Sequence, residues 1–477
     1  MEAAHITSKR FLRVQTCVEL VCACLLLVAS VVAFGTTGIG VACALGVAYA
    51  VPRLLYAHIS GGEPWGGLVI CVFGILLVAW AFANIYGWTE AVGRTVANPD
   101  LHCDDSLYFQ WALSHFNGSV PEPNTKFVGF PLMILLSWRL FGPSIVWPIA
   151  INVMLTLLTI VVCGQMSARV LSQRLQSGRT QITVLTMLGL AVLGYFMSHG
   201  PMLLKEPLTY FSVALAAYAV ARMKALDATL NGPAWRDVAC YTVAVAIMAI
   251  TRVSVVYFLM IGVALTLADN RRMWRYAVAL FGVSVVGIVL GVHWSNGFGA
   301  EVQTRIVASA ESGGHIMKDL FLAKGVYGEM MSGYFQQPLW QKLLLLPVTC
   351  TVQFFIPFPW PSTETLSVGV LATRFQWVWY AVAGVVLFYL FTQSWKRQSL
   401  GWWAMWPFVC IASVAFVTSG SVSRYTLPFQ PLFVTIAVWV VCKYREGEWR
   451  GLFRVWCACY AIVLVAALAC CYALTSA

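Results

Sequence analysis

Two adjacent carboxylates, Asp104 and Asp105, lie in the stretch LHCDDSLYFQWALSHF (101–116) of a 477-residue chain in which only 10% of residues are charged. A carboxylate so placed can act as a general base towards a hydroxyl, or it can cap a helix. From Ser106 onward Tyr108, Phe109, Ala112, Leu113 and Phe116 recur at helical spacing, while Gln110, Ser114 and His115 fall off that face. The spacing predicts an amphipathic helix with both acids at its mouth. One aspartate suits an N-cap at the positive end of the helix dipole; capping does not call for the second. His102 and His115 flank the pair, but no second His or acid recurs at i,i+4, so a histidine metal site is not expected.

Three other places carry charge next to apolar runs. Lys205-Glu206 stands in HGPMLLKEP, between prolines 201 and 207. It reads either as a functional pair or as a first-turn glutamate with a lysine snorkelling to water. Arg252, in AITRVSVV, follows an apolar run (237–250) of about 14 residues, or about 21 Å of helix. That helix ends below the membrane surface or is strongly tilted, and the arginine needs an anion: Glu206, an aspartate of the first loop, or a bound phosphate. Arg424, in SGSVSRYTLP, precedes Pro428 and Pro431. For both arginines the other reading is an interfacial residue paired with lipid head groups. Asn117-Gly-Ser is a glycosylation-type sequon, and the mixed-charge segment 295–374 is long enough for a lid.

The elements that must position these residues are membrane spans. With 60% hydrophobic residues and a mean hydropathy of +0.78, the chain reads as an all-α, polytopic membrane protein. A crossing takes roughly 20 apolar residues. About thirteen spans are expected, near 15–34, 37–56, 66–86, 146–166, 181–199, 207–221, 237–250, 254–269, 276–294, 375–394, 402–419, 425–442 and 453–474. Segments 127–142 and 338–358, broken by proline or charge, read as interfacial or re-entrant helices. No cleavable signal peptide is evident, so the first span reads as a retained anchor. The organisation expected is an N-terminal three-span segment (1–86), a first external loop with interfacial helices (87–145), a central bundle (146–294), a long external loop (295–374) and a C-terminal bundle (375–477). No internal repeat or flexible linker is visible.

Basic residues orient this layout. With the N-terminus inside, nineteen of the thirty Lys and Arg residues fall on the inner side with eight acids, so the whole formal excess of +11 lies there and the outer side balances. Because these charges are spread over many short loops, they mark topology, and nucleic acid is not a partner. Asp104, Asp105, Lys205, Glu206, Arg252 and Arg424 all fall on the outer side. The fifteen cysteines lie almost wholly in apolar runs and no CxxC pair occurs, so neither a disulfide framework nor a zinc site is expected.

The order of these pieces resembles the GT-C glycosyltransferases, polytopic enzymes that take sugars from polyprenyl-phosphate carriers and include protein O-mannosyltransferases and the lipid A aminoarabinose transferase. Asp105-Ser106-Leu107-Tyr108-Phe109, with Ala112, is similar to the family's D-x-x-Y-Y and following alanine. Residues 126–142, KFVGFPLMILLSWRLFG, resemble its periplasmic helix with a W-x-x-FG-like end. Lys205-Glu206 takes the place of the second-loop acidic motif, and SRYTLPFQP is similar to the late R-Y-x-x-P-x-x-P segment. Three spans precede the first loop instead of the single one in the best-known members, the second-loop acid is Glu instead of the commoner Asp, and the long soluble C-terminal domain that some members carry is not expected.

The resemblance implies an inverting transfer of a sugar from a polyprenyl-phosphate donor to a hydroxyl of a glycan, lipid or protein acceptor. Asp105 would be the base, with Asp104 next; Lys205, Arg252 and Arg424 would meet the leaving phosphate; Glu206 would hold a divalent cation (Mg or Mn) or orient Lys205 and Arg252. Membrane lipids surround the protein, and a bacterial inner membrane with the site facing the periplasm is expected. The rival readings are a lipid-linked oligosaccharide polymerase or ligase, which does not call for the Asp-Asp pair, and a lipid-linked sugar transporter or flippase. The last predicts ionisable residues at mid-membrane depth, and the spans are nearly free of acids except for Glu19.

Overall fold

The computed structural model describes residues 2–61, 63–88, 104–119, 128–172, 174–226, 235–268, 274–294, 339–355, 376–394, 400–418 and 427–476. Among these residues there are seventeen α-helices and no strand. They are α1 (Glu2–Phe34), α2 (Gly38–Ser60), α3 (Pro64–Tyr86), α4 (Asp104–Phe116), α5 (Gly129–Phe141), α6 (Val146–Leu171), α7 (Arg179–Ala191), α8 (Gly194–His199) and α9 (Glu206–Leu226). Then follow α10 (Trp235–Thr251), α11 (Val253–Ala268), α12 (Trp274–Trp294), α13 (Leu339–Phe355), α14 (Gln376–Thr392), α15 (Trp402–Thr418), α16 (Gln430–Arg445) and α17 (Arg450–Ser476).

Every expected span coincides with helix, and both segments read as interfacial are helical as α5 and α13. One span is divided. Residues 181–199 form α7 and α8, because Leu193 is extended (φ −74°, ψ 120°) and takes its amide to Leu190 instead of continuing the i→i−4 ladder. Among the described residues, six segments are long and apolar enough to cross a membrane by length and composition: Phe11–Ser60, Pro64–Tyr86, Val146–Leu171, Tyr276–His293, Leu427–Arg445 and Arg450–Ala467. The protein is an all-α, polytopic integral membrane protein.

The helices pack into two compact units, the first holding α1–α9 and the second α10–α17. In the first unit α6 is the central element, with two thirds of its apolar window buried. Its Gly164 lets α7 approach, since a Cβ there would meet Met187 Cγ at 2.8 Å. The α2–α3 turn is built by local chemistry. Gly61, at φ 65°, closes α2, and Glu63 caps α3 by accepting the Trp65 and Gly66 amides at 2.9 and 2.8 Å, with Pro64 at the first helical position. The Tyr56 hydroxyl donates to the same Glu63 carboxylate at 2.6 Å.

Glu19, the one acid that stood out inside a span, is matched in the structure. Its Oε1 accepts from Arg53 Nε at 2.9 Å, the Tyr49 hydroxyl at 2.7 Å and Gln15 Nε2 at 3.1 Å. An ion removed from water is tolerable when paired and bonded in this way, so the pair tethers α1 to α2.

In the second unit α16 is the central helix, and the apolar window of α17 holds no fully buried residue, its exposed side being the surface expected towards lipid. Phe354, Trp379, Phe408 and Phe433 interlock edge to face at the middle of this unit, and the Trp379 indole donates to the Phe354 carbonyl at 2.7 Å.

Candidate functional site

The site assembles at one end of the first unit. Helix α4 folds because its apolar face has a partner. Tyr108, Phe109 and Ala112 are buried, with Trp111 beside them, and Gln110 is exposed, as the spacing predicts. The partner is α5: Tyr108 meets Phe130 at 5.3 Å between ring centroids, and Trp138 receives Phe109 at 5.4 Å and Phe116 at 5.8 Å. The W-x-x-FG end of α5 also has a physical reason. Gly142 adopts φ 88° and returns its amide to the Trp138 carbonyl at 2.9 Å, the Trp138 indole donates to the Ser144 carbonyl at 2.8 Å, and Phe141 stacks on Trp147 at 3.9 Å.

Asp105 lies on the same face as Tyr108, Phe109 and Ala112, at i, i+3, i+4 and i+7, and it is fully buried. A carboxylate on the inward face of an amphipathic helix is removed from water, unlike a solvated capping residue. Asp104 opens α4, with its side chain outside the described residues.

The second part is the link from α8 to α9. Its backbone is pinned by two buried amides from neighbouring helices: Asn84 of α3 donates to the Pro201 carbonyl at 3.1 Å, and Asn152 of α6 donates to the Met202 and Leu204 carbonyls at 2.6 and 2.8 Å. At the far side of the link Lys205 sits at the N-cap of α9, and its carbonyl takes both the Thr209 amide and the Thr209 hydroxyl at 3.1 Å. Glu206 is the first residue of α9 and is 1% exposed. The reading of a glutamate in the first turn therefore holds for its position. Lys205 is half-buried, with its ammonium 5.5 Å from the centroid of the Tyr108 ring.

Thus Tyr108 joins the two stretches singled out in the sequence: one turn before it on α4 is Asp105, and against its ring is Lys205, followed directly by Glu206. Beside them His199 Nδ1 lies 2.8 Å from the Tyr210 hydroxyl, and Phe196 stacks on the Tyr210 ring at 5.1 Å. Asn84, Asn152, His199 and Tyr210 were not singled out in the sequence. The signal for the two asparagines is the lone amide within an apolar run, which must find buried partners.

Arg252 belongs to the second unit. It is the single non-helical residue between α10 and α11 and is 3% exposed, with its amide bonded to the Met248 carbonyl at 2.7 Å. Helix α12 crosses tightly at this turn, since a Cβ on Gly291 would lie 2.5 Å from the Ala249 carbonyl oxygen. Arg424, residues 295–338 and 356–374 of the long segment, His102 and Cys103 lie outside the described residues.

Among the described residues no three His, Cys, Asp or Glu side chains converge as a metal cage. The buried carboxylates Asp105 and Glu206 are nonetheless the hard oxygen donors that a Mg-type cation takes, one or two at a time, alongside water and phosphate oxygens.

Removing the Asn152 amide is expected to loosen the link without touching the charged groups. Asn152→Ala leaves the Met202 and Leu204 carbonyls short of a donor, at a cost of about 1–3 kcal/mol. A lowered unfolding midpoint of the purified protein is the measurement; an unchanged midpoint would remove Asn152 from the framework of the link.

The fold is that of a helical membrane protein, with the buried acids Asp105 and Glu206 and the half-buried Lys205 as the candidate site in its first unit. No family model matches the chain, and no curated protein matches it. Among solved structures it is similar to the archaeal oligosaccharyltransferase AglB from Archaeoglobus fulgidus, in complex with an inhibitory peptide and a dolichol-phosphate, at 13% identity and a TM-score of 0.39 over 84% of this chain. This chain spans 55% of that one.

Proposed function

We propose that the protein is a membrane glycosyltransferase that moves a sugar from a polyprenyl-phosphate donor to an acceptor hydroxyl of a glycan, lipid or protein, with inversion. The observation that carries this reading is the meeting of the Asp105 helix face with Lys205 through the Tyr108 ring. It supplies a base and a cation within one buried neighbourhood.

In the reaction, Asp105 accepts the proton of the acceptor hydroxyl as that oxygen forms the new bond to the anomeric carbon. The bond from that carbon to the phosphate oxygen breaks on the opposite face, and the electron pair leaves with the phosphate. Negative charge grows on the phosphate in the transition state, where the Lys205 ammonium stabilises it more than in the ground state. The half-buried setting of Lys205 strengthens that interaction relative to water. Glu206, at the start of α9, would orient Lys205 by pairing with it or hold a divalent cation against the phosphate. A divalent cation, if bound, would be held by Asp105 or Glu206 and would supply further neutralisation of phosphate charge.

The test is an assay of the purified full chain against a panel of polyprenyl-phosphate sugars with and without acceptor. Acceptor-dependent release of polyprenyl phosphate is expected for one of them. Movement of the lipid-linked sugar across proteoliposomes with no acceptor and no release would replace the transferase reading with that of a flippase.

A further inference from the structure

Two buried polar atoms beside the link from α8 to α9 have no hydrogen-bond partner among the described residues: Oδ1 of Asn152 on α6 and Nε1 of Trp80 on α3. Both side chains bear on the same stretch of the link. The Asn152 amide donates through Nδ2 to the Met202 and Leu204 carbonyls at 2.6 and 2.8 Å, and Trp80 packs against the Met202–Leu204 pair. Leu204 is followed directly by Lys205, so this place lies immediately behind the candidate site.

The packing holds both atoms where they are. Because both partners of Nδ2 are carbonyls, turning the Asn152 amide over would set Oδ1 against two acceptors, so Oδ1 is kept away from them. Asn152 is fully buried, and its own carbonyl takes the Thr156 hydroxyl at 2.9 Å. An indole N–H can only donate, and the carbonyls of the link next to Trp80 already take the asparagine amides, Pro201 from Asn84 and the other two from Asn152. The link is pressed between α3 and α6: a Cβ on Gly200 would lie 3.0 Å from Thr156 Oγ1 and 3.1 Å from Leu77 Cδ2, and Leu77 stands one turn before Trp80.

A buried donor and a buried acceptor, each unbonded, cost the packed protein the desolvation of both groups. The occupant that satisfies both must accept from an N–H and donate to a C=O through one atom. A phosphate or carboxylate oxygen only accepts and an ammonium only donates, so neither fits. A hydroxyl oxygen does both. Water and the hydroxyls of a sugar share that chemistry, and a buried water is the ordinary way in which a protein satisfies such groups.

We propose that Trp80 Nε1 and Asn152 Oδ1 form a hydroxyl-binding site behind Lys205, in which a hydroxyl oxygen accepts from the indole and donates to the amide, supplied by a bound water or by the sugar of the donor. The water source stands apart from the glycosyltransferase reading, whereas the sugar source rests on it. In the second case Trp80 and Asn152 select among sugars, because a sugar lacking the hydroxyl at the position reached leaves two buried groups unpaired.

Trp80→Phe keeps a ring against Met202 and Leu204 and removes only the N–H. In the full chain, labelled with heavy nitrogen at tryptophan and held in lipid nanodiscs, the Trp80 indole N–H resonance is identified by its loss in Trp80→Phe, or in Trp80→Leu where the phenyl variant does not fold. The expected resonance is that of a hydrogen-bonded indole. The probes added are polyprenyl phosphate, polyprenyl-phosphate mannose and polyprenyl-phosphate glucose. A bonded N–H in the protein alone, exchanging magnetisation with water and unmoved by every probe, identifies water as the source. A resonance moved by a sugar-bearing probe and not by polyprenyl phosphate, with affinity for that probe about three- to tenfold weaker in Trp80→Phe, identifies the sugar. An N–H at the non-bonded position in every sample overturns the proposal, even if the same chain transfers sugar. A bonded N–H in a chain that transfers no sugar overturns the glycosyltransferase reading and leaves the site in place with water as its occupant.

Discussion

Asp105→Asn is expected to lower the rate of sugar transfer by about 10²–10⁴-fold, the usual contribution of a general base, while leaving donor binding nearly unchanged. The substitution keeps the volume of a fully buried side chain on the packed face of α4, so the aromatic contacts of Tyr108 and Phe109 with α5 have no reason to move. What it removes is the capacity to accept a proton. Initial rates with the best polyprenyl-phosphate sugar give the result, with the unfolding midpoint measured on the same preparation. Wild-type turnover in Asp105→Asn would take Asp105 out of the base role. Wild-type turnover in Asp104→Asn as well would end the proposed mechanism, since no other described acid lies on α4.

Lys205→Met is expected to cost about a hundredfold in kcat, the scale seen when one preorganised group facing developing negative charge is lost. Methionine keeps an unbranched stem against the Tyr108 ring and deletes the ammonium, which separates charge from packing. Because the phosphate gains charge only as the sugar bond breaks, the loss should fall on kcat more than on KM. Two companions sharpen the reading. Tyr108→Phe retains the ring face and should be close to the unmutated enzyme, whereas Tyr108→Leu removes the ring face on which Lys205 rests and should lose part of the same factor. A Lys205→Met variant altered in KM alone would mean that the lysine binds the donor equally in ground and transition states.

Much of the architecture was legible in the sequence. Apolar runs of about 20 residues have few physical alternatives to helix, because a backbone in hydrocarbon must satisfy its own hydrogen bonds. The spacing of Tyr108, Phe109 and Ala112 announced the inward face of α4, and Gly142 announced the end of α5. Pro207 marked the start of α9, since proline is at home in a first turn. The break of 181–199 at Leu193 was not legible. Leu193 is an ordinary helix former, and its extended conformation is fixed by the packing of α8 and the link around it.

The sequence by itself determined the class of this protein and drew attention to Asp105, Lys205 and Glu206, because isolated charges in an apolar chain are costly enough to stand out. Only the tertiary structure decided that Asp105 faces inward, that Lys205 rests on Tyr108, and that Asn84 and Asn152 hold the link in place. It also resolved Glu19, an anomaly in the sequence, into a partner of Arg53. The physical reason is common to all of these. Periodicity and hydropathy are local and report which face of a helix is apolar, whereas the Asn84–Pro201 bond spans 117 residues and exists only once the helices have packed. A side chain's partner is a property of the packed unit, and only there does Tyr108, one turn after Asp105, meet Lys205.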